Sequence, residues 1–166
     1  MQTVYFKSKL GVIKITGGLN GVESIRIDEG TFQKTISIPS YFENCILEIK
    51  EYLDGKRKEF TFSMKPKGTE FQTKVWSILT KIPFGKTLSY LEIATIYGNK
   101  KAVRAVASAI GKNPILVAIP CHRVIGSNGS LVGFAAGLDK KMALGKRRFP
   151  LSKGNSFLKI KINSAL

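Results

Sequence analysis

Pro120-Cys121-His122-Arg123-Val124 place a thiol, the chain's only histidine and a guanidinium in direct succession. Thiolate is the form of cysteine that attacks electrophiles, and a neighbouring imidazole and cation favour it. The competing reading is a structural cysteine, because free Cys is among the most buried residue types and packs as a small hydrophobe. Context favours reactivity. The motif closes the apolar run Ile115-Leu116-Val117-Ala118-Ile119, which reads as a buried strand, so the thiol is expected where that strand emerges into a loop. Cys45 differs: it shares helical spacing with Tyr41, Phe42, Ile46, Ile49 and Leu53 and reads as core. One histidine and two distant cysteines offer no clustered ligand set for zinc, and no metal or other cofactor is expected. A cysteine protease fits poorly, since its base normally comes from a distant part of the chain.

The elements that must position this motif lie in a chain of 166 residues with 43% hydrophobic content, ordinary for a globular protein. Its net charge of +16 is not ordinary. Residues 1–67 hold 11 Lys and Arg against 8 Asp and Glu, whereas residues 68–166 hold 16 against 3. The second half is therefore expected to meet a polyanion, with nucleic acid ahead of an anionic membrane and a merely solubilising surface as the plain alternative. Two cysteines are too few for a disulfide framework, and no run approaches the ~18 apolar residues of a membrane span. A soluble, cytoplasmic protein with reduced thiols is expected.

Residues 2–38 alternate short apolar segments (Thr3–Phe6, Val12–Thr16, Val22–Ile27) with turn signals and read as strands joined by hairpins. Pro39-Ser40 opens a helix to about Asp54, closed by Gly55. Lys65-Pro66-Lys67-Gly68 reads as a linker, giving an N-terminal α/β domain over 1–67 and a mainly helical domain over 68–145, α+β overall, followed by a basic tail over 146–166. In the second domain Thr69 caps a helix containing Val75 and Trp76, and Ser89 caps a short helix to about Tyr97. Gly98-Asn99 turns into a helix over Lys101–Ile110. The last two helices have the form of a helix-turn-helix. On the second, Val103, Val106 and Ile110 make the inward stripe, leaving Ala102, Ala105 and Ala109 with Arg104 on other faces. Alanines also simply favour helix. Small side chains around one long cation nevertheless suit close approach to a nucleic-acid groove with an inserted side chain.

From Gly68 to about Leu144 the chain resembles the O6-alkylguanine-DNA alkyltransferases. The resemblance rests on Thr69-Glu70-Phe71-Gln72-Thr73-Lys74-Val75-Trp76, on Ile82-Pro83-Phe84-Gly85-Lys86-Thr87-Leu88-Ser89-Tyr90, and on Gly98-Asn99 followed by Ala102-Val103-Arg104-Ala105-Val106. It continues through Gly111-Lys112-Asn113-Pro114, Ile119-Pro120-Cys121-His122-Arg123-Val124 and Gly133-Phe134-Ala135-Ala136-Gly137-Leu138. It implies suicide repair of double-stranded DNA containing O6-alkylguanine, by a monomer that extrudes the damaged base and takes its alkyl group onto its own cysteine. Cys121 is then the acceptor, His122 its water-mediated base, and Tyr90 crowds the 3′ phosphate and helps protonate the departing guanine. Arg104 fills the vacated stack, with Lys101, Ala102, Ala105, Ser89 and Arg123 also at the DNA. Asn113 is the hinge beneath the active-site loop, and Val124, Phe134 and Ala135 line the base pocket.

One departure stands out. The family's relay ends in a glutamate that orients the histidine, and counting from Cys121 without gaps that position is Arg148. Asp139 is the only acid after Cys121, and Gly145 is expected to end the last helix early. The absent acid raises a second reading, a lesion-binding protein with weak or no transfer. A helix-turn-helix regulator is a third, which would leave Cys121-His122 unexplained.

Overall fold

The computed structural model describes residues 1–28, 30, 35, 37–133 and 137–146. Three strands open the chain: β1 (Gln2–Ser8), β2 (Gly11–Gly18) and β3 (Gly21–Asp28), an antiparallel meander in the order β1-β2-β3. Val4 pairs with Ile15 and Ile15 with Ile25, so the alternating apolar residues line one buried face. Gly17 is required at the β2–β3 turn, where a Cβ would stand 2.5 Å from the Gly21 carbonyl oxygen. Helix α1 (Ser40–Leu53) adds Phe42, Cys45, Ile46, Ile49, Tyr52 and Leu53 to the core.

The second half is mainly helical. Helix α2 (Glu70–Thr80) starts at a capping box in which Thr69 accepts from the Gln72 N–H and the Gln72 side chain accepts from the Thr69 N–H. Its Trp76 indole donates to the Ala109 carbonyl at 2.8 Å. The short strand β4 (Leu88–Ser89) leads into α3 (Tyr90–Tyr97), which ends at a left-handed Gly98. A 3-10 turn, Lys100–Ala102, then enters α4 (Val103–Gly111), completing a helix-turn-helix arrangement. Strand β5 (Val124–Ile125) pairs in parallel with β4, and α5 (Leu138–Lys146) follows. One continuous cluster of buried side chains, from Val4 to Leu144, joins both halves. No helix among the described residues is long and apolar enough to cross a membrane.

Three local expectations are corrected. The run Ile115–Ile119 is not a strand: only Ile115 bridges to Ile25, and the remainder turns back so that the Ile119 N–H reaches the Ile115 carbonyl at 3.0 Å. Ala109 faces inward at 2% exposure, because α2 packs against α4 and brings the Trp76 indole to the Ala109 carbonyl. Gly145 does not stop α5, which continues through it to Lys146.

Candidate active site and DNA-facing helix

The turn beneath the thiol is built by one side chain. Asn113, fully buried, accepts from the Ile115 N–H at 3.0 Å through Oδ1 and donates through Nδ2 to the Ile119 carbonyl at 2.9 Å and to Cys121 Sγ at 3.1 Å. These bonds satisfy main-chain groups that a buried turn would otherwise strand. The same turn docks on β3, where the Ile25 N–H donates to the Pro114 carbonyl and the Leu116 N–H to the Ile25 carbonyl. Val117, at its apex, has φ of 73°, a conformation costly for a β-branched residue and held here by its buried surroundings.

Cys121 opens a 3-10 turn with His122 and Arg123, and β5 follows at once. Pairing of Leu88 with Val124 and of Ser89 with Ile125 brings the start of α3, and so Tyr90, to this segment. Val124 is fully buried there. The Tyr90 hydroxyl donates to the Val132 carbonyl at 2.9 Å. Burial first, and the Cys121 thiol second, raise the Tyr90 pKa, so at neutral pH it remains a phenol.

Cys121 is only 3% exposed. Burial pushes its thiol up, opposed by the Asn113 amide, the Lys141 ammonium and the N–H groups of Cys121 and His122. Cys45 is buried without such help, and its thiol is pushed up to about 12 by burial and by Glu48. Lys141, on α5, was invisible to motif reading: it lies in a lysine pair, and its only signal is a place three residues before the buried Leu144. It is fully buried, and Nζ donates to the carbonyls of Val132 at 2.8 Å and Gly133 at 3.1 Å. Burial pushes its pKa down to about 8.

His122 is likewise buried, and its pKa is pushed down to about 3 by burial, by Arg123 and by Lys141, so the ring is neutral at physiological pH. Its Nε2 lies 3.1 Å from the hydroxyl of Tyr52, from α1 in the other half of the chain. Nδ1 has no partner among the described residues. Arg123 does not reach outward as expected of a DNA contact. It is 7% exposed, and its guanidinium donates to the Ile82 carbonyl and, at 3.2 Å, to Tyr52 Oη. Ser89 is also withdrawn from the surface, because its hydroxyl serves the capping box with Glu92 that starts α3.

The remaining expected DNA contacts are gathered at the start of α4. Lys101, Arg104 and Ala105 are exposed and Ala102 half-buried, and Arg104 makes no ion pair among the described residues. Phe134 and Ala135 lie outside the described residues, as does Arg148.

Comparison with known proteins agrees with this architecture. The model of the 6-O-methylguanine DNA methyltransferase DNA binding domain matches residues 70–147. A methylated-DNA–protein-cysteine methyltransferase of Methanosarcina acetivorans is 40% identical over 148 residues, spanning 85% of this chain and 94% of the relative. Among solved structures, Mycobacterium tuberculosis OGT in complex with DNA superposes with a TM-score of 0.81 at 35% identity, covering 91% of this chain and 96% of that one. An O6-methylguanine DNA methyltransferase from Methanococcus jannaschii gives 0.67 at 28% identity, covering 95% and 99%. With the matched fold extending through both halves, this chain belongs to the methylated-DNA–protein-cysteine methyltransferase family.

Proposed function

We propose that this protein repairs duplex DNA by moving the alkyl group of O6-alkylguanine irreversibly onto Cys121 Sγ, once per molecule. The observation that carries the reading is the setting of that sulfur: Asn113 donates to it at 3.1 Å, and a buried lysine ammonium opposes the effect of burial on its ionisation. The thiolate attacks the alkyl carbon, the carbon–O6 bond breaks, and its electron pair leaves with the guanine. The base then takes up one proton, balancing the one the thiol released. In this reading Tyr90, whose hydroxyl donates to the Val132 carbonyl in the free protein, turns that hydrogen to the departing base.

A cysteine that is 3% exposed cannot meet a base inside an intact stack, so the guanine must be extruded at a cost of a few kcal/mol. Arg104, exposed among small residues on α4, is suited to occupy the gap and offset that cost. Lys101 adds phosphate attraction nearby, and Val124 contributes an apolar wall to the base pocket.

The test is intact-mass analysis after mixing with one equivalent of duplex DNA containing O6-methylguanine. A single methyl group on the peptide carrying Cys121, without turnover and abolished by Cys121→Ala with DNA binding retained, is the expected result. Methylation of Cys45 or multiple turnovers would refute the assignment. A second reading, lesion binding without transfer, draws on the absence of any carboxylate bonded to His122 among the described residues, and predicts tight binding with an unmodified Cys121.

A further inference from the structure

The outer face of the sheet carries charge that the site described above does not use. Pairing of Tyr5 with Lys14 and of Lys14 with Arg26 sets these side chains in one row across β1, β2 and β3, on the face opposite Val4, Ile15 and Ile25. Two cations directly opposite on neighbouring strands repel, and such a pair destabilises a sheet. Lys14 lies over the Tyr5 ring, 5.7 Å from its centroid, but neither Lys14 nor Arg26 has an ion pair among the described residues. The acids of β3 are engaged elsewhere: Glu23 with Lys67 at 2.8 Å, and Asp28 as acceptor from the Gly30 N–H at 3.0 Å.

The row ends on the strand to which α4 is tied. Ile25, next to Arg26, donates to the Pro114 carbonyl at 2.9 Å and accepts from the Leu116 N–H at 3.0 Å, and only Lys112 and Asn113 separate Pro114 from the last residue of α4. Arg104, Ala105, Ser108 and Lys112 recur at helical spacing and are all exposed. They form a stripe about 12 Å long that ends within two residues of the point where the chain joins β3 beside Arg26. The C-terminal end of a helix carries partial negative charge that a phosphate would avoid, and Lys112 at the C-cap of α4 offsets it.

We propose that Arg26 and Lys14 prolong the DNA-facing surface beyond the end of α4, binding backbone phosphates of the duplex that flanks the lesion on one side. A phosphate set between the two cations replaces their repulsion with attraction to a shared anion. The contact is to phosphate and not to bases, so it adds affinity and register without sequence preference. It also gives the N-terminal half a direct part in DNA binding. The role of Arg26 and Lys14 rests on the reading of α4 as the DNA-facing helix.

The test is equilibrium binding across a range of salt concentrations, with Cys121→Ala as the parent protein so that lesion DNA fixes the register without being repaired. Three duplexes containing O6-methylguanine are compared: a short one, and two extended by about one helical turn on one side of the lesion or the other. Extension on one side should tighten binding by the parent, and Lys14→Gln with Arg26→Gln should remove that gain. On that duplex the slope of log Kobs against log[salt] should become shallower by about 0.9 for each side chain removed. The short duplex and the other extended one should bind the two proteins alike. Lys14→Arg with Arg26→Lys, which keeps both charges, should retain the parental slope. Parental slopes in the doubly neutralised protein on both extended duplexes, as for a merely solubilising surface, overturn the assignment, and so does an equal loss on all three duplexes. Without DNA the neutral pair should melt no lower than the parent, because it relieves a repulsion; a lower melting temperature would show the row to be structural and overturn its role in binding. Lys101→Gln with Arg104→Ala should weaken binding to all three duplexes. If it does not, the reading of α4 fails; if it does while Lys14 and Arg26 are silent, only the extension of the surface fails.

Discussion

Replacing Lys141 with glutamine removes a buried charge while keeping an amide that can still donate to the carbonyls of Val132 and Gly133. The ammonium opposes the burial that raises the Cys121 thiol, so its loss should raise that thiol further. The thiolate present at neutral pH should therefore fall. A more basic thiolate is a better nucleophile, with a Brønsted slope of about 0.4–0.5, which restores nearly half of the effect on a logarithmic scale. The net expectation is transfer slower at pH 7 by roughly half of the fall in thiolate on that scale. The pH profile carries the sharper signature. With a raised thiol pKa, the logarithm of the wild-type rate should climb with a slope of about one from pH 6 upward. Lys141, at about 8, discharges as the pH passes that value, the thiol pKa then rises further, and the slope should fall. Lys141→Gln has no charge to lose, so its profile should stay straight to pH 9. Rapid-quench single turnovers at saturating lesion duplex, from pH 6 to 9, would measure both. Equal rates for the two proteins, or parallel profiles throughout, would refute the assignment of Lys141 as the cation that supports ionisation.

Arg104→Ala should slow repair of duplex DNA by more than about tenfold, equal to ~1.4 kcal/mol, while transfer from the free O6-alkylguanine base hardly changes; equal losses on both would place Arg104 in support of the active site instead. Asn113→Ala strands the Ile115 N–H and the Ile119 carbonyl in a buried turn. At about 1–3 kcal/mol for each stranded group, its melting temperature should fall by roughly 5–20 °C, and calorimetry showing a change of less than about 2 °C would refute that account. Buried neutral His122 has a folded pKa of about 3 against an ordinary 6.5, so its contribution to stability is complete above pH 6.5 and is lost as the pH falls towards 3. The span corresponds to roughly 5 kcal/mol at most, on the order of 2–3 kcal/mol of it gone by pH 4.5. Urea denaturation at pH 7 and pH 4.5 should show this acid loss in the wild type and a smaller one in His122→Asn; identical losses would mean that other groups govern it.

The helices and strands were legible locally because their signals are local. Thr69 with Gln72 and Ser89 with Glu92 announce capping boxes three residues apart, and the alternation of Val4, Phe6, Ile13 and Ile15 announces a one-sided sheet. The succession Pro120-Cys121-His122-Arg123 is likewise the pattern expected of a reactive thiol, and Arg104 among alanines the pattern expected of a surface for close approach. The apolar run before the thiol misled because hydrophobicity reports burial, not backbone path. Asn113, reaching six residues on to Ile119, turns that run back on itself. Ser89 and Arg123 show the same limit, since polarity suggests exposure while a capping box and a buried hydrogen-bonding pair with Tyr52 consume their donors. Tyr52 is 70 positions from His122, and no spacing rule relates them. Their meeting, like the burial of Lys141, was decided only when α1 and α5 packed against the thiol-bearing segment, because desolvation and hydrogen bonding depend on neighbours in space.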